Sequence, residues 1–342
     1  MTSVPLEQHI QSMGDASIFL TVQMAYHIQK RLQAIPERYK LKVISHKLKG
    51  ITMRKPRIGL VLGLCLTSIN AAAQTAVTHQ GLDADFYEGD GNTAVLLLHG
   101  TLAHNRMEII STISRLVSED YGIPVLSPNL SYNIPGREGM LDCGITHTHK
   151  HFDALDEIST WVSYLEDQGF ENIIVSAHSR GGGQMSAYLA DTPSDNIRGA
   201  VLIAPAVFDA DYAEKGYQDR YGVELSGLME QARQLDSDAI MDVPGFVYCQ
   251  QAKVAASTFI DYYTPDPRRD TPTNLSKISD LGVVVIAGSE DDVVERLPEK
   301  LESTAGIGDN VSLEMIDGAD HFFRDLYADD VASIIADMVE GL

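Results

Sequence analysis

Ile173-Ile174-Val175-Ser176-Ala177-His178-Ser179-Arg180-Gly181-Gly182 decides how the rest of the chain is read. Ile173-Ile174-Val175 reads as a buried strand, and Gln184-Met185-Ser186-Ala187-Tyr188-Leu189 behind it reads as a helix. Between them, Ser179 has one small residue two positions before it, Ala177, and another two positions after, Gly181. A strand-to-helix turn of the G-x-S-x-G kind needs small residues there, because strand and helix nearly touch while the serine backbone is held strained. Ala177 stands where the first glycine usually is, a departure of one methyl group.

Outward from this turn, apolar strands alternate with helices from about residue 84. Ala94-Val95-Leu96-Leu97-Leu98 is a continuous apolar run, as expected of a strand covered on both faces in a parallel sheet. Pro124-Val125-Leu126-Ser127, Gly199 to Ala204, Val283 to Ala287 and Val311 to Ile316 read as further strands. Leu155, Ile158, Val162 and Leu165 recur at helical spacing, and Asp325 to Val339 reads as a closing helix. The pattern predicts an α/β fold, a doubly wound, mostly parallel sheet with crossover helices. One long segment, about 208–279, breaks the rhythm with helical patterns and six of the fourteen tyrosines.

Two further stretches stand in a telling order. Gly288-Ser289-Glu290-Asp291 follows an apolar strand, and Gly318-Ala319-Asp320-His321 lies near the end. With Leu98-His99-Gly100-Thr101 earlier, the chain resembles the α/β-hydrolase superfamily, its serine esterase and lipase branch, over residues 84–342. The resemblance implies Ser179 as nucleophile, His321 as general base and Asp291 as the acid that orients it, with Asp292 the runner-up. It also implies an oxyanion hole from the backbone N–H of Arg180 and that of Thr101, with Leu102 the alternative to Thr101. The segment 208–279 falls after the sixth strand, where this fold carries a helical lid. Its tyrosines either line a substrate pocket or build the lid's own core.

The residue types suit the chemistry. A serine hydroxyl is a poor nucleophile until a neighbouring base takes its proton, and a histidine can take it and return it to the leaving group. A carboxylate holds the imidazole tautomer and stabilises the imidazolium. The expected activity is cleavage of a small-molecule carboxylic ester through an acyl-enzyme. A peptidase, amidase or cofactor-free haloperoxidase on the same residues is the alternative, as is a non-catalytic binding protein on the same fold. No dinucleotide fingerprint or P-loop lysine is present, and no cofactor or metal is expected. His147, His149 and His151 form a cluster on the rim with no acid or cysteine at a familiar zinc spacing, and His99 and His178 read as structural.

Charge and composition set outer bounds. Of the 342 residues, 1–73 carry 10 Lys+Arg against 3 Asp+Glu, which leaves 16 against 45 for residues 74–342, a net of −29. Such a surface argues against nucleic-acid binding, which depends on neutralising phosphates. Met53-Arg54-Lys55-Pro56-Arg57, the apolar stretch Ile58 to Ile69 and Ala71-Ala72-Ala73 read as a signal peptide over 53–73, with a mature start at Gln74. The apolar run is short for a stable membrane span. Residues 1–52 read as a non-native or upstream extension, 74–342 as the hydrolase domain, and the location as periplasmic or secreted. Removal of 53–73 takes Cys65 away and leaves Cys143, on the rim, and Cys249, in the lid segment, where an oxidising compartment favours a disulfide over two free thiols.

Overall fold

A computed structural model describes residues 74–191 and 193–342. The expected signal segment 53–73 and extension 1–52 lie outside the described residues. The chain enters through an antiparallel pair, β1 (Gln74–His79) and β2 (Leu82–Tyr87), then β3 (Thr93–Leu98), α1 (Glu108–Tyr121), β4 (Val125–Asn129) and the short β5 (Thr146–His147). Next come α2 (Asp153–Asp167), β6 (Asn172–His178), α3 (Arg180–Asp191) and β7 (Ile197–Ile203). A long insertion follows: α4 (Ala210–Tyr221), α5 (Leu225–Arg233), β8 (Ile240–Phe246), β9 (Cys249–Ala255), α6 (Ala256–Tyr263) and α7 (Thr271–Leu275). The chain closes with β10 (Gly282–Gly288), α8 (Leu297–Ser303), β11 (Val311–Ile316) and α9 (Leu326–Glu340).

Eight strands form one sheet in the order β1-β2-β4-β3-β6-β7-β10-β11. Pairing is parallel from β4 to β11 and antiparallel at the β1–β2–β4 edge. The central strands are apolar throughout because helices cover both faces: Ala94 to Leu98 and Ala200 to Ala204 are wholly inaccessible to solvent. Across the sheet, Leu98 pairs with Ala177 and Ala177 with Leu202, so the residues just before Ser179 sit mid-sheet. Helices α1 and α9 pack on each other, as do α2 and α3. Among the described residues, no helix is long and apolar enough to cross a membrane.

The insertion corrects one expectation. It follows the sixth strand of the large sheet, but it is not all helical. Its β8 and β9 form a hairpin, and β9 pairs in parallel with β5 through Thr146↔Lys253 and His147↔Val254. This second sheet ties the insertion to the loop after β4. The Cys143 and Cys249 Sγ atoms lie at bonding distance, 2.02 Å, at the same junction. Three of the tyrosines build the insertion's own core, one of the two expected roles. Tyr217, Tyr221 and Tyr263 pack with Phe259 into the insertion's own core, while Tyr262 turns toward His149 and His151.

The turn from β6 into α3 is as tight as its small residues suggest. Ser179 has φ +55°, and its carbonyl accepts from the N–H groups of Ala206 at 2.9 Å and Gly183 at 3.2 Å. A Cβ at residue 181 would sit 2.2 Å from the His99 carbonyl oxygen, whereas one at residue 183 would meet only ordinary contacts from 3.5 Å. Gly181→Ala should therefore destabilise the protein by about 1–3 kcal/mol, the usual range for overpacking. Gly183→Ala should be neutral or stabilising, because alanine is the better helix former. Urea unfolding checks both, and equal midpoints for the two variants would contradict the close approach of the His99 carbonyl.

Candidate active site

Ser179, His321 and Asp291 come from three separate loops at one end of the parallel strands, and the structure brings all three together. Ser179 follows β6, Asp291 follows β10, and His321 follows β11. His321 Nε2 lies 2.9 Å from Ser179 Oγ, and His321 Nδ1 lies 2.8 Å from Asp291 Oδ2. The second Asp291 oxygen accepts from the N–H groups of Val293 at 2.8 Å and Val294 at 3.0 Å. Burial pushes the Asp291 carboxyl up, but hydrogen bonds from His321 and these two amides outweigh it and hold the group below its ordinary value. An ionised carboxylate only accepts, so the imidazole proton lies on Nδ1 and Nε2 presents its lone pair to the serine hydroxyl. Asp292 is exposed and makes no such contact, and Asp320 accepts instead from the Phe322 N–H at 2.9 Å.

The neighbouring histidines hold backbone in place. His178 Nε2 donates to the carbonyl of His321 at 2.9 Å, which fixes the peptide that carries the imidazole. His99 Nδ1 donates to the Gly100 carbonyl at 2.9 Å, and its Nε2 accepts from the Leu130 N–H at 3.0 Å. The loop after β3 is thus tied to the loop after β4. Its far end is anchored by Asp85, which accepts from Asn105 and, through both oxygens, from Arg106. Gly100 lies directly against the serine, since a Cβ there would be 3.0 Å from Ser179 Cβ. Thr101 follows at once, and its Oγ1 accepts from Arg180 Nε at 3.0 Å. Leu102, the alternative donor, has its amide at the Tyr132 hydroxyl.

Several residues at the site carry no sequence signal of their own. Tyr132, at φ +49°, stacks 4.7 Å from His149, and Arg137 lies 4.9 Å over the Tyr132 ring. Tyr262 closes the group from the insertion, 5.4 Å from His149 and 5.7 Å from His151. The rim cluster His147, His149 and His151 is buried among these rings. Among the described residues, no group of three or more His, Cys, Asp or Glu is arranged to hold a metal ion.

Comparison with known proteins agrees with this architecture. A family model described as the alpha/beta hydrolase fold matches residues 93–238. The structure is similar to Est1E from Butyrivibrio proteoclasticus, with 17% identity, a TM-score of 0.52, and 78% of this chain and 99% of that one covered. It is also similar to the esterase Pf2001 of Pyrococcus furiosus, with 14% identity, a TM-score of 0.50, and 79% and 90% covered. A bacterial membrane phospholipase A, described as a virulence factor, matches at 14% identity and a TM-score of 0.51, with 80% and 87% covered. No curated protein sequence matches the chain. At these identities the likeness is one of fold.

The buried imidazoles imply a pH dependence of stability. Burial, first of all, lowers His99, His149 and His178 from 6.5 to about 3. Below about pH 6.5 the unfolded chain takes up protons on these rings, and the native protein does not until the pH nears 3. The unfolded state therefore binds more protons in that window, and stability falls as pH falls. Urea unfolding should show a free energy declining from pH 7 to pH 4. His149→Gln should remove up to about 1.4 kcal/mol per pH unit from that slope. An unchanged slope would mean that His149 ionises in the native protein.

Proposed function

We propose that this chain, which has the α/β-hydrolase fold, is a serine hydrolase that cleaves small-molecule carboxylic esters through an acyl-enzyme. The hydrogen-bonded chain Ser179–His321–Asp291, at 2.9 and 2.8 Å with all three side chains buried, is the observation that carries this reading. Ser179 Oγ attacks the ester carbonyl while its proton passes to His321 Nε2. The imidazolium, stabilised by Asp291, then protonates the leaving alcohol. Water, deprotonated by His321, attacks the acyl-enzyme and releases the acid with Ser179 restored. The N–H groups of Arg180 and Thr101 stabilise the oxyanion, each such donor being worth about 10²–10³ in rate. The insertion acts as a lid, a role supported by the contact of Tyr262 with the His149 and His151 rim.

The test is a series of p-nitrophenyl esters of graded chain length together with a fluorophosphonate probe. Ser179→Ala and His321→Ala should lower kcat by about 10⁴–10⁶ without unfolding the protein, and Ser179→Ala should abolish labelling. Asp291→Asn should cost about 10⁴, and Asp292→Asn should have little effect. A protein that neither labels nor turns over any ester is not a serine hydrolase. The reverse ranking of the two aspartates would move the acid role to Asp292.

We also propose that residues 53–73 are a signal peptide, that residues 74–342 are the exported hydrolase domain, and that Cys143 and Cys249 are bridged in it. The bridge closes a separation of 106 residues, for which chain entropy gives about 4–5 kcal/mol. Expressed from Met53 in a Gram-negative host, the periplasmic chain should begin near Gln74 and titrate no free thiol when unfolded without reductant. Intact mass spectrometry and thiol counting decide both points. A retained Met53-Arg54-Lys55 terminus would contradict export, and two free thiols would contradict the bridge.

A further inference from the structure

We propose that the Arg180 side chain is a recognition point for an anion, so that the preferred ester carries a carboxylate near the scissile bond. This deepens the hydrolase reading and rests on it.

The argument begins with what the arginines contact. Residues 74–342 hold 45 acidic side chains, and six arginines in the described region are ion-paired: Arg106, Arg115, Arg268, Arg269, Arg296 and Arg324. Arg198, Arg220 and Arg233 have no such partner, but they are exposed and solvated. Among the described residues, the arginines that are shielded from solvent without a carboxylate at ion-pair distance are Arg137 and Arg180. Arg137 lies in the loop after β4, and Arg180 opens α3 directly after Ser179.

Their environments differ. Arg137 is buried, and its nitrogens donate to the carbonyls of Leu130 and Gly139, to Asn129 Oδ1 and toward His99 Nε2. It is a structural cation satisfied by neutral acceptors, with the nearby Glu157 carboxylate as its electrostatic partner. Arg180 is half-buried and lightly engaged. Its Nε donates to Thr101 Oγ1 at 3.0 Å, its NH1 lies 3.5 Å from His151 Nδ1, and its guanidinium sits 5.7 Å over the Tyr262 ring. A guanidinium has five N–H donors in a planar fork that matches a carboxylate, and these contacts use two.

The imidazoles beside it fit the same reading. Arg180 can only donate, so His151 Nδ1 accepts and the ring's proton lies on Nε2. That nitrogen and His149 Nε2 are buried with no hydrogen-bond partner. Burial, followed by the positive charge of Arg180, lowers His151 well below its ordinary range. His149 is lowered by burial, then by His147 and Arg180. These rings are neutral at physiological pH, so the local positive charge belongs to the guanidinium groups. A guanidinium beside the nucleophile, with no carboxylate at ion-pair distance and donors left over, is set up to receive a carboxylate from a ligand.

Two matched pairs of esters test the inference. On the acyl side, mono-p-nitrophenyl adipate is compared with p-nitrophenyl hexanoate; on the alcohol side, 4-acetoxybenzoate with 4-acetoxybenzamide. In one pair the anionic member should have a kcat/KM about 10–100-fold higher, the range for a hydrogen bond to a charged group. Arg180→Gln should collapse that ratio to about one or below, and Arg180→Lys should leave an intermediate value, keeping charge but losing the fork. Ratios of one or less in both wild-type pairs would overturn the proposal. So would an Arg180→Gln variant that loses the neutral and anionic members equally, since the side chain would then only support Thr101.

Binding is read independently of turnover. Adipate at millimolar concentration should raise the Tm of Ser179→Ala, adipamide should not, and the shift should vanish in Ser179→Ala/Arg180→Gln. If Ser179 is not labelled and no ester is cleaved, the hydrolase reading fails, and the Tm shift alone still decides the anion site. If Arg180→Gln does not fold, the wild-type ratios and the adipate shift of Ser179→Ala decide it.

Discussion

The approach on which the serine turn depends lies between the first turn of α3 and the carbonyl of His99 just after β3. There is no room for a Cβ at residue 181, because it would overlap the His99 oxygen at 2.2 Å. That contact presses the serine turn against the loop carrying Gly100 and Thr101, and it holds Ser179 at φ +55°. A non-glycine residue in the left-handed region is costly, and it persists only where the surroundings over-determine it. Here they do: the Ser179 N–H donates to the Ile203 carbonyl at 2.9 Å, and its own carbonyl accepts from two amides. Strand β7 and the residues after it thus hold the turn from one side while β3 holds it from the other. The serine's position follows from a parallel sheet packed too closely to relax.

Around that fixed point, the polar groups are distributed by how each survives burial. Asp291 keeps its charge because two backbone amides and the His321 ring solvate it in place of water. His99, His149 and His178 survive by giving up their charge, as burial makes the imidazolium unfavourable. Arg137, whose pKa is also lowered by burial, is satisfied by four neutral acceptors. Asp261 accepts from the His151 N–H at 2.7 Å and pairs with Arg269, so carboxylates and guanidinium groups stand side by side around the neutral rings.

The large sheet was legible in the sequence because its signals are local. A continuous apolar run such as Ala94 to Leu98 marks a doubly covered strand, and small residues two positions either side of Ser179 mark the turn. Asp291 and His321 were legible from their order and their place after apolar strands. The β8–β9 hairpin was missed because its strands carry Asp242, Gly245, Gln250, Gln251 and Lys253, and the helical patterns around them dominate the segment. Its parallel pairing with Thr146-His147 joins residues more than 100 positions apart, for which sequence spacing has no signature. Tyr132 was equally hidden as a site residue, since its place depends on loop conformation, whereas Tyr262 was among the tyrosines expected either to line the site or to build the insertion's core.

That small second sheet changes how the insertion should be understood. An insertion of helices alone could swing about two hinges, whereas this one pairs β9 with β5, the strand that leads directly into His149 and His151. Cys143 and Cys249 reinforce the same junction. Phe246, at the end of β8, stacks 5.1 Å from His147 and 4.8 Å from Tyr262, so insertion and rim bury their aromatic rings in each other. Moving the hairpin away would expose those rings and strand the neutral imidazoles in a half-opened core. The histidine rim and the insertion's inner face act as one rigid wall beside Ser179, and Arg180, reaching from the serine turn to His151 and Tyr262, spans the seam between that wall and the sheet.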